Sequence, residues 1–120
     1  MAKQRYVWDE GQPIYRQITE VLITRILDGA YPEGELLPSV RQVADEFSVS
    51  PLTAAKVFQE LDKDNLTVKR RGIGTEVRPG ARERMIKQER ERFLKKEWPE
   101  LRVRLNRLDI DLRELFGSDG

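Results

Sequence analysis

Two short amphipathic segments, separated by a tight turn and followed by two strand-like runs, constrain the fold of this chain most strongly. The segments lie on either side of Ser48-Val49-Ser50, and the two runs flank Gly72-Ile73-Gly74, all within residues 37–77. The order helix, turn, helix, hairpin is that of a winged helix-turn-helix. Binding to double-stranded DNA is therefore the leading functional hypothesis.

The first of the two predicted helices begins at a local capping signal. Ser39 is followed three residues later by Gln42, which is a capping box and predicts a helix start at Val40. The apolar positions then recur at helical spacing and predict one face packed on a core: Val40, Val43, Ala44 and Phe47. The opposite face of this helix carries Arg41 among acidic residues.

The second predicted helix has the features of a recognition helix. Ser50 is a good N-cap, and Pro51 stands at the first helical position, where its missing N–H costs nothing. Thr53 and Lys56 lie one turn apart near the N-terminus, where a recognition helix presents side chains to the major groove. Taken alone such residues are more often ordinary solvated surface, and the surrounding motif is what favours DNA contact. The predicted buried stripe is Ala54, Val57, Phe58 and Leu61.

A basic hairpin with a glycine tip is predicted to follow. Residues 67–71 and 75–78 alternate, and Gly72 and Gly74 between them permit positive φ. The predicted inward residues are Val68 and Val77. Three consecutive cations lead into the tip and would let the backbone approach phosphates or a minor groove: Lys69, Arg70 and Arg71. The alternative is an edge hairpin whose charges protect it from aggregation.

These residues together resemble the DNA-binding domain of the GntR family of bacterial transcription regulators. The resemblance runs from Pro13 to Val77 in order and spacing, and three stretches carry it: Leu37-Pro38-Ser39 with Arg41, residues 49–61, and Arg71-Gly72-Ile73-Gly74-Thr75. The short tail and the Pro-x-Thr-x-x-Lys pattern of the second helix are most similar to the YtrA-like subfamily.

The resemblance implies a homodimeric, repressor-type regulator that reads a palindromic operator. It implies that Arg41 contacts the DNA backbone or a base edge and that Thr53 and Lys56 work in the major groove. The wing tip would be formed by Arg71, Gly72 and Gly74. The complete expected DNA-binding set is Arg41, Ser50, Pro51, Leu52, Thr53, Lys56, Lys69, Arg70, Arg71, Gly72, Gly74 and Thr75.

The second helix departs from the family at three positions. Many members have Arg where this chain has Pro51 and Ala55, and the subfamily often has Asn where this chain has Leu52. We expect Leu52 to make apolar contact with a thymine methyl in place of polar readout.

Composition narrows the functional classes. The net charge is only +1, and residues 1–80 carry 11 Lys or Arg against 12 Asp or Glu, so DNA binding has to rely on local clustering of cations. Without Cys or His the chain has no disulfide, no Cys/His zinc site and no Ser–His triad. No acidic cluster gathers oxygens at one point, and Asp109-x-Asp111 is more simply a helix cap, so we expect neither an enzyme nor a cofactor.

Partners and location follow from the same composition. The chain has no apolar run of transmembrane or signal-peptide type, so a soluble cytoplasmic protein that does not bind membranes is expected. The near-neutral net charge of the chain and the acidic residues on the helix that starts at Val40 also fit a winged helix that binds proteins and not DNA. Duplex binding that weakens steeply with salt would separate these two alternatives.

Before the motif, residues 1–12 form a polar leader with a small apolar knot of Tyr6, Val7 and Trp8. Pro13 is predicted to open a scaffold helix that Asp28-Gly29 closes. The apolar stripe of that helix is Ile14, Ile18, Val21, Leu22 and Ile26. Residues 35–37 are predicted to be extended and to pair with the hairpin. The winged helix-turn-helix domain is placed at residues 13–78.

Residues 79–120 are predicted to be a helical dimerisation tail, because composition turns charged and helical after Pro79-Gly80. Its apolar residues step by four and three along a heptad pattern that calls for a partner helix: Leu94, Trp98, Leu101, Leu105, Leu108, Leu112 and Leu115. The alternative is that these residues pack against the chain's own first domain.

Two breaks are predicted in this tail. Pro99 disfavours helical geometry at Trp98, which predicts a kink or a restart of the helix there. A second break is expected near Asp109, whose side chain would cap a last helix ending before Gly117. So short a tail offers little volume for a small-molecule effector unless the dimer interface contributes. Trp98 and nearby arginines would line a site at that interface, and the sequence identifies no effector. The predicted fold class is mainly α with a small β-hairpin.

Overall fold

The chain divides into two compact units, and the boundary between them lies between Met85 and Ile86. The first unit consists of three helices, a two-stranded hairpin and the start of a fourth helix. The computed structural model describes residues 7–118. Tyr6 of the predicted apolar knot lies outside the described residues. The elements are α1 Ile14–Leu27, α2 Val40–Phe47, α3 Pro51–Lys63, β1 Thr67–Arg70, β2 Gly74–Val77, α4 Ala81–Arg92, a π-helical segment Phe93–Glu97, α5 Trp98–Arg107 and α6 Leu112–Ser118. The predicted fold class is confirmed.

The caps predicted for α2 and α3 are present. The Gln42 backbone N–H donates to Ser39 Oγ at 3.1 Å, and the Ser39 N–H donates to Gln42 Oε1 at 2.8 Å, which completes the capping box. Ser50 Oγ accepts from the Thr53 N–H at 3.2 Å, and Pro51 opens α3. Ser48, in the left-handed region at φ 55°, forms the turn between the two helices.

The core of the first unit lies between the inner faces of α1, α2 and α3. Along α1 the stripe begins later than the sequence predicts, because Ile14 is 41% exposed and Val21 only half-buried. Thr19 is buried there instead, and its hydroxyl donates to the Tyr15 carbonyl at 2.7 Å. The core side chains on these three helices are Ile18, Leu22, Ile26, Val43, Ala44, Phe47, Ala54, Val57, Phe58 and Leu61.

The hairpin packs on the core through a pair of residues that the sequence pattern identifies only in part. Its register places Thr67 opposite Val77, and both are fully buried. Val68 pairs with Glu76 and is half-buried, so the prediction of Val68 as an inward residue is wrong. A one-residue difference in register moves every side chain to the other face, which is why alternation alone misplaced it.

Residues 35–37 pair with the hairpin as predicted. Leu36 forms an antiparallel bridge with Glu76, and the Leu37 N–H donates to the Thr75 carbonyl at 2.8 Å. The Val77 N–H in turn donates to the Glu35 carbonyl at 3.0 Å. These bonds attach the wing to the segment that leads into α2.

The first turns of α4 belong to the core of the first unit. Ala81 and Met85 are buried in it, beyond the Pro79-Gly80 turn. Arg82 Nε donates to the Leu27 carbonyl at 2.7 Å, and Arg84 Nη2 donates to the Asn65 carbonyl at 2.9 Å. The compact unit therefore extends a few residues past the change in composition.

In the second unit the backbone is helical at Trp98, and a new α-helix starts there. Trp98 has φ −61° and ψ −45°, so the prediction that Pro99 disfavours helical geometry at this residue is wrong. The predicted restart is present, because α5 begins at Trp98 after the π-helical segment. The Trp98 N–H bonds to the Phe93 carbonyl, five residues back, within the π-helical segment. This shift of hydrogen-bonding register lets Pro99 begin a new α-helical stretch, where its missing N–H is tolerated.

The second predicted break is present, but a different residue caps the last helix. α5 ends at Arg107, and Asp109 takes up a left-handed conformation at φ 54°, which ends a helix and does not start one. Asp111 Oδ1 accepts from the Arg113 N–H at 2.9 Å, so Asp111 is the cap. α6 also continues through Gly117.

Candidate nucleic-acid interface

The N-terminus of α3 presents an exposed surface of mixed polar and apolar character. Ser50, Pro51 and Leu52 are exposed, and Leu52 is 72% exposed, which is unusual for a leucine beside a core. Thr53 is half-buried, with its hydroxyl 3.0 Å from Ser50 Oγ. Backbone N–H groups and the positive end of a helix dipole meet at this end of α3, which suits it to approach phosphates and base edges.

Lys56 is exposed one turn after Thr53, and its side chain approaches α1. Its Nζ is 5.7 Å from the centroid of the Tyr15 ring, which α1 contributes. This geometry is that of a cation–π contact. Tyr15 was not among the predicted site residues, because nothing in local spacing links the first turn of α1 to the second turn of α3.

The cations of the wing differ in how far they are engaged within the chain. Arg70 Nε donates to Glu76 Oε2 at 2.8 Å, so its charge is paired. Lys69 and Arg71 are exposed, and neither has an ion-pair partner among residues 7–118. The charge available at the wing therefore comes from Lys69 and Arg71.

Two glycines shape the wing tip around one apolar side chain. Gly72 has φ 76° and Gly74 has φ 143°, both in the region that favours glycine. Ile73 between them is 70% exposed. The tip thus offers a close backbone approach, one basic neighbour at Arg71 and one apolar group.

A small crevice of about 240 Å³ separates α3 from the wing. Lys69 and Thr75 lie directly opposite each other in the hairpin and line it, which brings these predicted site residues beside α3. The full lining is Val40, Ala55, Phe58, Gln59, Asp62, Thr67, Lys69 and Thr75. Thr67 Oγ1, fully buried, has no hydrogen-bond partner among the described residues.

Arg41 stands on the exposed side of α2. It forms no hydrogen bond or ion pair with the part of the chain that the structure describes. The helix that carries it is held to α1, because Arg25 Nη1 donates to Glu46 Oε1 at 3.1 Å and to the Tyr31 hydroxyl at 2.6 Å. Glu46 is the main cause that raises the pKa of Arg25, so this anchor stays charged.

The heptad series of the tail divides into two sets. One set is half-buried and lies along α5 and at the start of α6: Trp98, Leu105 and Leu112. The other set is exposed: Leu94, Leu101, Leu108 and Leu115. No residue from 86 to 117 is buried in the chain. An apolar surface of this extent is typical of an interaction site.

The bend between α5 and α6 opens a cleft that the sequence did not predict. Its volume is about 670 Å³, so the expectation of little volume in the tail is wrong. Trp98, Arg102 and Arg113 are among its lining residues, in agreement with the predicted tryptophan and arginine lining.

Residues 7–118 contain neither a metal-ligand cluster nor a membrane-spanning helix. No group of three or more Asp or Glu residues in this range is arranged to hold a metal ion. No helix in the same range is long and apolar enough to cross a bilayer.

Comparison with known proteins locates the motif within a family. The family described as "Bacterial regulatory proteins, gntR family" matches residues 14–77. Among curated proteins, the HTH-type transcriptional repressor YtrA of Bacillus subtilis (strain 168) is 32% identical over 74 residues, which is 62% of this chain and 57% of that protein. The chain thus spans little more than half the length of that repressor.

Solved structures match both the winged domain and a longer part of the chain. A GntR family transcriptional regulator from Listeria monocytogenes has a TM-score of 0.70 at 27% identity, and the match covers 92% of this chain and 96% of that one. The DNA-binding domain of AraR, solved in complex with operator ORX1, has a TM-score of 0.54 at 25% identity, over 62% of this chain and 90% of that one.

Proposed function

Because the chain belongs to the GntR family of bacterial regulatory proteins, we propose that it is a sequence-specific transcriptional regulator that represses by binding an operator in double-stranded DNA. The observation that carries the proposal is the exposed N-terminus of α3 next to a basic wing with a glycine tip. Operator binding by a relative's DNA-binding domain, and the repressor named among the relatives, support it. The cytoplasm, where the DNA lies, is its proposed location.

Within this function each part of the site has a role. The N-cap Ser50 and the first three residues of α3 enter the major groove. There Leu52 contacts a thymine methyl, and the hydroxyl of Ser50 or Thr53 forms a hydrogen bond with a base edge or a phosphate. Lys69 and Arg71 neutralise phosphates beside the groove, and Gly72-Ile73-Gly74 approaches the backbone or minor groove. Arg41 contributes from α2.

The tail joins two copies of the chain into a homodimer. The exposed leucines of the heptad series, at 94, 101, 108 and 115, supply the apolar surface for a second copy of the same helices. A two-fold dimer then sets two recognition helices about 34 Å apart, or a multiple of that distance, along one face of the duplex. The operator is accordingly palindromic.

Selection of bound fragments from a random duplex library by the full chain tests this function. The expected result is enrichment of a palindrome whose half-sites are separated by about one helical turn, with affinity that falls steeply as salt rises. Absence of enrichment and of any salt-dependent duplex binding would refute it. That outcome would favour the winged helix as a protein-binding module.

A further inference from the structure

We propose that Tyr15, Arg16 and Lys56 form a binding site for a backbone phosphate of DNA beside the recognition helix, in which the Tyr15 ring positions the Lys56 ammonium. This inference rests on the proposed function and adds the start of α1 to the DNA-binding surface. It also assigns Lys56 to the backbone and not to a base edge.

Two cations converge on one aromatic ring at the junction of α1 and α3. Lys56 Nζ lies 5.7 Å from the Tyr15 ring centroid, and Arg16 Cζ lies 5.9 Å from the same point. Arg16 and Lys56 are exposed, and Tyr15 is half-buried, so the ring is fixed while both charges face solvent. Both charges therefore add to the positive potential at this junction, which attracts an anion.

The carboxylate nearby does not neutralise the pair. Glu60 lies one turn after Lys56 on α3. The Tyr15 hydroxyl is the largest cause that raises the pKa of Arg16, and the charge of Glu60 adds to it. Two cations and one carboxylate leave one net positive charge at the surface. The set therefore attracts an anion, in a first unit whose residues 1–80 carry a net charge of −1.

The kind of contact follows from the chemistry of lysine. An ammonium is a compact point charge, which suits a phosphate, whereas base recognition depends on directional or bidentate donors. Attraction to Tyr15 holds Lys56 toward α1, a full turn beyond the Ser50–Thr53 end that faces the groove. The Tyr15 hydroxyl adds a neutral donor of the type that commonly contacts phosphates.

Duplex binding by variants of the full chain tests this site. The probes are the selected operator and a random duplex of equal length, each titrated over a salt series. The variants are Lys56→Ala, Tyr15→Leu, which keeps apolar bulk without the ring, Tyr15→Phe, which keeps the ring without the hydroxyl, and the double variant. Lys63→Ala is the matched control, an exposed lysine in the last turn of the same helix.

We expect Lys56→Ala to weaken binding to both duplexes by the same factor, about fivefold, and to lower the salt slope of the dimer by about 2, about 1 for each copy of the chain. Tyr15→Leu should reproduce part of that loss. The double variant Tyr15→Leu with Lys56→Ala should lose no more affinity than the losses of Lys56→Ala and Tyr15→Phe together. Lys63→Ala should leave affinity and slope unchanged. Thermal melts compare folding, and Tyr15→Phe retains the packing of the ring.

Three results would overturn the inference. A loss with Lys56→Ala that is confined to the operator would make Lys56 a base reader. Full additivity of Tyr15→Leu and Lys56→Ala would mean that the ring does not position the ammonium. Unchanged binding by Lys56→Ala and by Tyr15→Leu would refute the site and leave the proposed function intact. A wild-type chain that binds neither duplex would refute the proposed function itself.

Discussion

Ser50 and Thr53 engage each other at the end of α3 that is proposed to meet DNA. Ser50 Oγ accepts the Thr53 N–H at 3.2 Å and also lies 3.0 Å from Thr53 Oγ1. A hydroxyl has one donor and two acceptor positions, so when one of the two donates to the other, one O–H remains for a partner. The N-cap therefore both stabilises the helix and leaves a donor for DNA.

Replacing this cap should affect stability and DNA binding together. We expect Ser50→Ala to lower the free energy of unfolding by about 1 kcal/mol, because an N-terminal N–H of α3 loses its acceptor. Operator affinity should fall as well, since the exposed hydroxyl of Ser50 is lost and only the half-buried hydroxyl of Thr53 is left to donate. Chemical denaturation and operator titration measure the two effects.

Ser39→Ala is the matched control, because Ser39 caps α2 through the same kind of bond at 3.1 Å. It should lower stability by a similar amount and leave operator affinity unchanged. An equal loss of affinity in both variants would mean that general destabilisation, and not the position of Ser50, weakens binding.

The wing is a short hairpin whose cations are unequal because of how the strands pair. Arg70 lies on β1 opposite Gly74 and donates to Glu76, whereas Arg71 has left the strand and lies at the tip. Exposed ion pairs are weak and contribute about 0 to 1 kcal/mol to stability. The carboxylate of such a pair nevertheless stays beside the guanidinium and opposes its attraction to a phosphate. From the sequence alone the two arginines are equivalent candidates for DNA contact, whereas in the fold only Arg70 is paired with Glu76.

Removing each wing arginine should reveal that difference. We expect Arg71→Ala to weaken binding to all duplexes about equally and to lower the salt slope of the dimer by about 2, because each of the two copies loses one phosphate contact. Arg70→Ala should lower the slope less, because its charge is partly offset by Glu76 in the free chain. Equal slopes for the two variants would show that the Arg70–Glu76 pair opens on binding.

The two units bury their apolar residues to different extents. The first has a core of its own, with three helices and the hairpin around fully buried residues. In the second no residue from 86 to 117 is buried, and four leucines of the heptad series are exposed. A second copy of the chain is the partner that the proposed function supplies for that surface.

A charge in the exposed heptad set should separate the copies. We expect Leu101→Glu to give a monomer at micromolar concentration, because a carboxylate buried at an apolar interface lacks a partner. Operator affinity should fall strongly, since two half-sites are no longer bound together. Analytical ultracentrifugation and operator titration are the measurements.

Val103→Glu provides the control for this change. Val103 is an exposed apolar residue of α5 outside the series, two residues after Leu101 and so about 200° around the helix. It should remain dimeric and bind the operator normally. A Leu101→Glu variant that stays dimeric would refute the proposed interface.

Local signals in the sequence were enough to predict much of this protein. The capping box at Ser39 and the Ser50-Pro51 start act within one turn of backbone, and both helices begin where these signals place them. The apolar stripes of α2 and α3 and the glycine tip are likewise local patterns. Together with the family resemblance, they predicted the winged helix-turn-helix and the exposure of most of its candidate residues.

Contacts between residues far apart in the chain decided the rest. Strand pairing buried Thr67 and not Val68, since alternation does not define register. The packing of α1 on α3 brought Lys56 to Tyr15, and the π-helical segment allowed the helix to continue at Trp98. Each of these outcomes depends on which surfaces meet in three dimensions, and a local pattern of residues does not contain that information.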